Sequence, residues 1–160
     1  MAAPGISPHI LIVEARYYDE IGEQLQKGAL RRLEQAGASY EIIQVPGAYE
    51  IPAAIKVAIR SLDFYAGRRR ADGYVALGCV IRGETTHYET GCNDSSRGLM
   101  QLGLAGACIG NAILTVETHE QARVRAEAAG QNKGGGAAEA ALHLVALGRQ
   151  WRGKTTGIGF

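Results

Sequence analysis

With 160 residues, 46% of them hydrophobic and 21% charged, the chain is expected to form one soluble globular domain with a real core. A net charge of +1 makes no electrostatic case for nucleic acid or an anionic membrane surface. No apolar run approaches the roughly 20 residues that span a bilayer, and Met1–His9 lacks the basic and apolar regions of a signal peptide, so a cytoplasmic location is expected.

In chain order, "HILIVEA" (9–15) is a short apolar run and reads as a strand. "DEIGEQLQKGALRRLEQAG" follows, with Ile21, Leu25, Ala29 and Leu33 on one helical stripe and Gly37 placed to end the helix. "YEIIQVPG" (40–47) is a second strand, and "YEIPAAIKVAIRSL" (49–62) a second helix, with Pro52 near its first turn, where a missing N–H does no harm. After the loop "FYAGRRRADG", "YVALGCVI" (74–81) is the third strand and 86–106 is mostly helix. "ACIGNAILTV" (107–116) is the fourth strand, and 118–129 and 132–151 read as two closing helices. Cys79, Cys92 and Cys108 are an odd count without C-x-x-C spacing. They argue against a disulfide framework or a zinc site and are expected as reduced, mostly buried thiols. Nothing suggests a repeat or a linker: 1–160 reads as one domain, with 1–8 and 153–160 expected as flexible tails.

Strand–helix alternation implies an α/β fold, a parallel four-stranded sheet with helices on both faces. Ligands of such sheets bind beyond the carboxyl ends of the strands. The unusual residues collect after strands four times, in "EARYYD", "VPGAYE", "IRGETTHYE" and "TVETHE". The third is the richest. Arg82-Gly83-Glu84-Thr85-Thr86-His87 runs from a buried strand into a helix start, where free N–H groups and a partial positive charge favour an anion such as phosphate. Gly83 lets backbone approach a ligand, Thr85 and Thr86 can cap the helix or add hydroxyls, and His87 has an ordinary pKa suited to proton transfer near neutrality. The same residues are compatible with a plain capped helix and a surface histidine.

Arg123 and Arg125 lie two residues apart on a helix, so at most one can face the site. Lys133 begins the last helix beside three glycines. Tyr17 can stack on a flat heterocycle or pack within the fold. Glu50 can accept from ligand hydroxyls or complement a helix dipole. "GRQWRGKT" (148–155) matches G-x-x-x-x-G-K-[ST] literally, but it follows a helix instead of a strand, and too little chain remains to form the helix that a phosphate-binding loop must open.

Together, "ARYYD", "VPGAYEIP", "ALGCVIRGETTHYE", "ILTVETHEQA" and "NKGGGAA", in this order and spacing from about Ile10 to Leu147, resemble the lumazine synthase family. The resemblance implies a flavodoxin-like three-layer α/β/α sandwich. It also implies a condensation of 5-amino-6-(D-ribitylamino)uracil with 3,4-dihydroxy-2-butanone 4-phosphate to 6,7-dimethyl-8-ribityllumazine, with loss of phosphate and water and without a metal or organic cofactor. A non-catalytic flavin-binding module of the same fold is the alternative. By the same resemblance, Tyr17 stacks on the pyrimidine and Ala48, Tyr49 and Glu50 hold the ribityl chain. Cys79, Val80 and Ile81 meet the pyrimidine through backbone groups, and Glu84 and Thr85 take the phosphate with Arg125. His87 moves protons, Asn111 faces the substrate where many members carry an aromatic, and Lys133 lies near the heterocycle. Tyr17 departs from the more usual Phe. The resemblance further implies rings of five subunits with each site shared by two neighbours. The absence of a Gly-x-Lys-x-Gly turn at 127–131 favours a bare pentamer or a small multiple of it, and the Gly- and Ala-rich helices are expected to pack on a partner.

Overall fold

Parallel strands need crossovers, and crossovers carry helices onto the faces of a sheet. The computed structural model, which describes residues 7–64, 69–83 and 88–154, has this arrangement. The elements are β1 (His9–Ala15), α1 (Asp19–Gln35), β2 (Ser39–Val45), a 3₁₀ turn (Ala48–Glu50) leading into α2 (Ile51–Phe64), β3 (Gly73–Ile81), α3 (Tyr88–Leu104), β4 (Ile109–Val116), α4 (His119–Ala126) and α5 (Lys133–Lys154). All four strands are parallel, in the order β2-β1-β3-β4. This is the parallel sheet with helices on both faces expected from the alternation, in the three-layer, flavodoxin-like form that the resemblance implies.

Side-chain alternation along β1 and β3 divides the core in two. Ile10, Ile12, Val75, Leu77 and Ile81 face α1, α4 and α5. Leu11, Val13, Tyr74, Ala76 and Val80 face α2 and α3. The α1 stripe of Ile21, Leu25, Ala29 and Leu33 is buried throughout, and Gly37, at φ +69°, takes the left-handed conformation that ends the helix. The edge strand β4 is only half covered: Ala112, Leu114 and Val116 are buried, while Asn111 and Thr115 on its other face are exposed.

Two closing elements differ from expectation. α4 ends at Ala126, because the chain turns extended at Glu127. The carbonyl of Glu127 accepts from the Gly130 and Asn132 N–H groups, and the Ala128 N–H donates to Gln24 on α1. α5 continues to Lys154, so the expected tail at 153 begins inside a helix, as does the apparent phosphate-loop pattern. Its last residue, Thr155, and the rest of that tail lie outside the described residues.

A further correction concerns the small residues of α5. They were expected against a partner, yet Gly134, Gly135, Ala137, Ala138 and Ala141 are buried within the chain. A methyl group on Gly134 would fall onto the backbone carbonyl of Leu25 in α1, and one on Gly110 in β4 onto the carbonyl of Ala137. α5 is therefore drawn in to backbone contact with its own neighbours. None of the three cysteines is in a disulfide, and they are half-buried instead of mostly buried. Burial raises the pKa of Cys92 and Cys108 above the ordinary thiol value, which disfavours the reactive thiolate. No helix among the described residues is long and apolar enough to cross a membrane.

Candidate active site

The strand order places a topological switch between β1 and β3, since the chain leaves β1 towards β2 on one side and reaches β3 on the other. All strands being parallel, the loops after β1, β2, β3 and β4 share one end of the sheet. The described parts of the four unusual segments therefore lie at that end.

After β1, Tyr17 presents its ring to solvent at 67% exposure. Its edge meets Tyr18, with centroids 4.9 Å apart, and Tyr18 in turn meets His119 on α4, edge-on at 6.0 Å. An exposed aromatic at this end of the sheet is compatible with stacking on a heterocycle. After β2, Ala48 is buried as the anchor of the 3₁₀ turn while Tyr49 and Glu50 stand exposed. The Glu50 carboxylate folds back over Gly47, close enough that a methyl group there would lie 3.1 Å from Oε2.

At the end of β3, Val80 and Ile81 are buried and Cys79 is half-buried. They carry β3 past Leu77, where its ladder with β1 ends, while still pairing with β4. Gly83 adopts φ +80° with no heavy atom of the described residues near its missing side chain, the left-handed turn that glycine allows most readily. Glu84, Thr85 and His87 lie outside the described residues. Arg82, just before them, is held by at least two partners. Its Nε lies 2.8 Å from Glu117 Oε2 and donates to Oε1 at 3.0 Å, and its guanidinium carbon lies 4.5 Å from the centroid of the Tyr88 ring. Burial is the main cause raising the Tyr88 pKa, and Arg82 opposes it. Sequence reasoning passed over Arg82, because its partners are 6 and 35 positions away.

The two helix arginines separate as the spacing requires. Arg123 is exposed and committed to α4 itself: Nε and Nη2 donate to Glu120 at 2.9 and 2.7 Å, and Glu127 lies 3.9 Å from Nη1. Arg125 is half-buried and makes no ion pair or hydrogen bond among the described residues, so its charge is available. α4 itself is capped by Thr118, which accepts from the Gln121 N–H at 3.1 Å. Lys133 opens α5 as an exposed first residue. What fixes it is Asn132, another residue the sequence reading missed. At φ +50°, Asn132 accepts at Oδ1 from the Gly135 N–H at 3.1 Å, and its carboxamide fills the notch left by Gly28 on α1. Asparagine before a helix start was the available signal. Asn111 is exposed on β4, and its Oδ1 accepts from the Ile113 N–H at 2.8 Å.

The sequence profile of the 6,7-dimethyl-8-ribityllumazine synthase family matches residues 7–149. The chain belongs to that family. It is 55% identical to the 6,7-dimethyl-8-ribityllumazine synthase of Bartonella tribocorum over 145 residues, 90% of this chain and 92% of the relative. It is 52% identical to that of Bartonella bacilliformis over 147 residues, 91% and 93% of the two chains. It is 50% identical to that of Agrobacterium fabrum over 147 residues, 91% and 98%. Family membership carries the enzymatic reading, a transferase of riboflavin biosynthesis, over that of a flavin-binding module.

Proposed function

We propose that the chain condenses 5-amino-6-(D-ribitylamino)uracil with 3,4-dihydroxy-2-butanone 4-phosphate in the cytoplasm, in a ring of five subunits, with each site shared by two neighbours. One subunit supplies Tyr17 to stack on the pyrimidine, Ala48, Tyr49 and Glu50 for the ribityl chain, and the backbone of Cys79, Val80 and Ile81 for the ring edge. It also supplies Glu84 and Thr85 for the phosphate. The next supplies Asn111, Arg125 and Lys133.

One observation carries the shared site. Asn111 is paired in register with Ala76, five positions before the Ile81–Val116 pair at the carboxyl end. At a rise of about 3.3 Å per residue, Asn111 lies roughly 16 Å down the strand from the crevice mouth. Asn111 itself is exposed on an edge strand, where a neighbour's crevice can reach it.

The chemistry suits these groups. Schiff-base formation, elimination of phosphate and ring closure all move protons and need no protein nucleophile. Tyr17 and the β3 backbone fix the amine-bearing pyrimidine, the 84–85 amides and Arg125 hold the leaving phosphate, and His87 relays protons. Holding two substrates together supplies much of the acceleration.

Mixed refolding tests the arrangement. Inactive Glu50→Ala and Arg125→Ala subunits, denatured together and refolded in equal amounts, form mixed rings. About one quarter of the interfaces then join two intact halves in a head-to-tail ring, and lumazine absorbance should return towards that fraction of wild type. Mixed rings, verified by mass, that remain as inactive as their parents place each site within one subunit. Tight flavin binding by the wild type without turnover would return the module reading.

A further inference from the structure

A carboxylate in the middle of a buried core needs a reason. Glu14 is the penultimate residue of β1, in an otherwise apolar run apart from its first residue, and is 1% exposed. A buried charge is unfavourable unless paired and hydrogen-bonded. Three side chains from three elements converge on this one. Gln26 Nε2 of α1 donates to both oxygens at 3.1 Å, and Gln44 Nε2 of β2 donates to Oε1 at 2.9 Å. Arg16, in the turn after β1, brings Nε to 3.1 Å from Oε1. That last contact is a charge contact and not an aligned hydrogen bond, since Arg16 Nε is buried and finds no acceptor in line.

Arg16 reaches Glu14 by running its stem across Gly22 on α1. A methyl group on Gly22 would lie 2.9 Å from Arg16 Cγ. The residue directly before Tyr17 is thus held by its charge at one end and seated in a notch along its length. Tyr17 has no comparable hold of its own. Its ring is two-thirds exposed and touches the edge of Tyr18 alone among aromatic neighbours in the described residues. An exposed ring that must meet a flat ligand gains affinity when its backbone is fixed beforehand, because less freedom is lost on binding.

We infer that Glu14 and Arg16 are positioning residues for the reaction: the buried Glu14 carboxylate holds Arg16, and Arg16 sets the turn that presents Tyr17 to the pyrimidine substrate. The inference rests on the role proposed above for Tyr17. Neither residue touches substrate. Glu14 also joins α1, β1 and β2, so a purely structural role must be separated from positioning.

The experiment is steady-state kinetics on the assembled enzyme, with each substrate varied in turn, for Glu14→Gln, Arg16→Met, Arg16→Lys, Tyr17→Ala and the double variant Arg16→Met with Tyr17→Ala. Stacking contacts of this kind correspond to about a three- to tenfold change. Glu14→Gln and Arg16→Met should raise KM for the pyrimidine by about that factor and leave KM for the butanone phosphate within about twofold. Arg16→Lys should recover part of the loss, and with Tyr17 already Ala, Arg16→Met should change KM no further. An equal rise for both substrates, or full additivity in the double variant, assigns the pair a structural role and overturns the inference while the Tyr17 reading stands. If Tyr17→Ala leaves KM for the pyrimidine unchanged, the Tyr17 reading itself fails and the inference falls with it. Should Glu14→Gln not fold, the Arg16 variants decide alone.

Discussion

The guanidinium of Arg82 lies over the ring of Tyr88, 4.5 Å from its centroid, so the residues on either side of 83–87 meet each other while Glu117 ties the same guanidinium to the loop after β4. Arg82→Ala removes both ties. An exposed cation–π contact contributes about 0.5–1 kcal/mol and an exposed ion pair about 0.2–1 kcal/mol, so the loss of these two contacts should shift unfolding in urea by about 1–2 kcal/mol. The larger effect is expected in kinetics, as a higher KM for the butanone phosphate. A fall in stability with unchanged kinetics would separate Arg82 from the anion turn.

Arg125→Ala should raise KM for the butanone phosphate. A charge-assisted contact contributes about 1.5–3 kcal/mol, or roughly ten- to a hundredfold. Arg123→Ala should do little, because Arg123 is exposed and already paired with Glu120 on its own helix and Glu127 just past its end. Equal effects of the two variants would refute this assignment.

His87→Ala should lower kcat. Acid–base catalysis is typically worth about 10²–10⁴-fold, and the low end is expected because water and substrate positioning can substitute. Binding of the phosphate substrate, read by calorimetry, should be mostly retained. An unchanged kcat takes His87 out of the mechanism.

The glycine run gives an internal contrast in stability. Gly134→Ala would drive a methyl group into the Leu25 carbonyl, which cannot step aside without separating α5 from α1. A loss of about 1–3 kcal/mol or more is expected. Gly136, two residues on, has open space around the same position, so Gly136→Ala should stabilise by about 0.5–1 kcal/mol through helix propensity. Thermal melting of the two variants in opposite directions is the expected outcome.

At the opposite end of the sheet, burial first and Arg69 second lower the pKa of His9, against the opposing pull of Glu41 and Asp72. Its Nδ1 lies 2.8 Å from Ser39 Oγ, and its backbone N–H donates to Asp72 Oδ2 at 2.8 Å. Because the folded value lies below the unfolded one, the unfolded chain binds more protons in between. Stability is therefore lost as pH falls below about 6.5 towards the folded value. His9→Gln should flatten that part of the stability–pH curve. A curve of unchanged slope would show that other groups set it.

The sequence by itself determined the order and type of the elements and the end of the sheet on which the candidate site lies. Period-two and period-3.6 patterns are local, so Ile21, Leu25, Ala29 and Leu33 announced a buried stripe, and four clusters of polar and aromatic residues after strands announced one crevice. The spacing of Arg123 and Arg125 showed that they diverge. Only the tertiary structure decided which of them is spent. The Glu120 and Glu127 pairs depend on how side chains settle on α4, and the half-burial of Arg125 depends on α4 packing against the body of the fold. Packing also reversed the expectation for the glycines and alanines of α5, because small residues permit close approach without naming the surface approached, and that surface proved to be α1 and β4 of the same chain. Glu14 was visible as a charge in an apolar strand. Its meaning rests on Gln26, Gln44 and Arg16 arriving from three different elements, and such convergence exists only once the chain has folded.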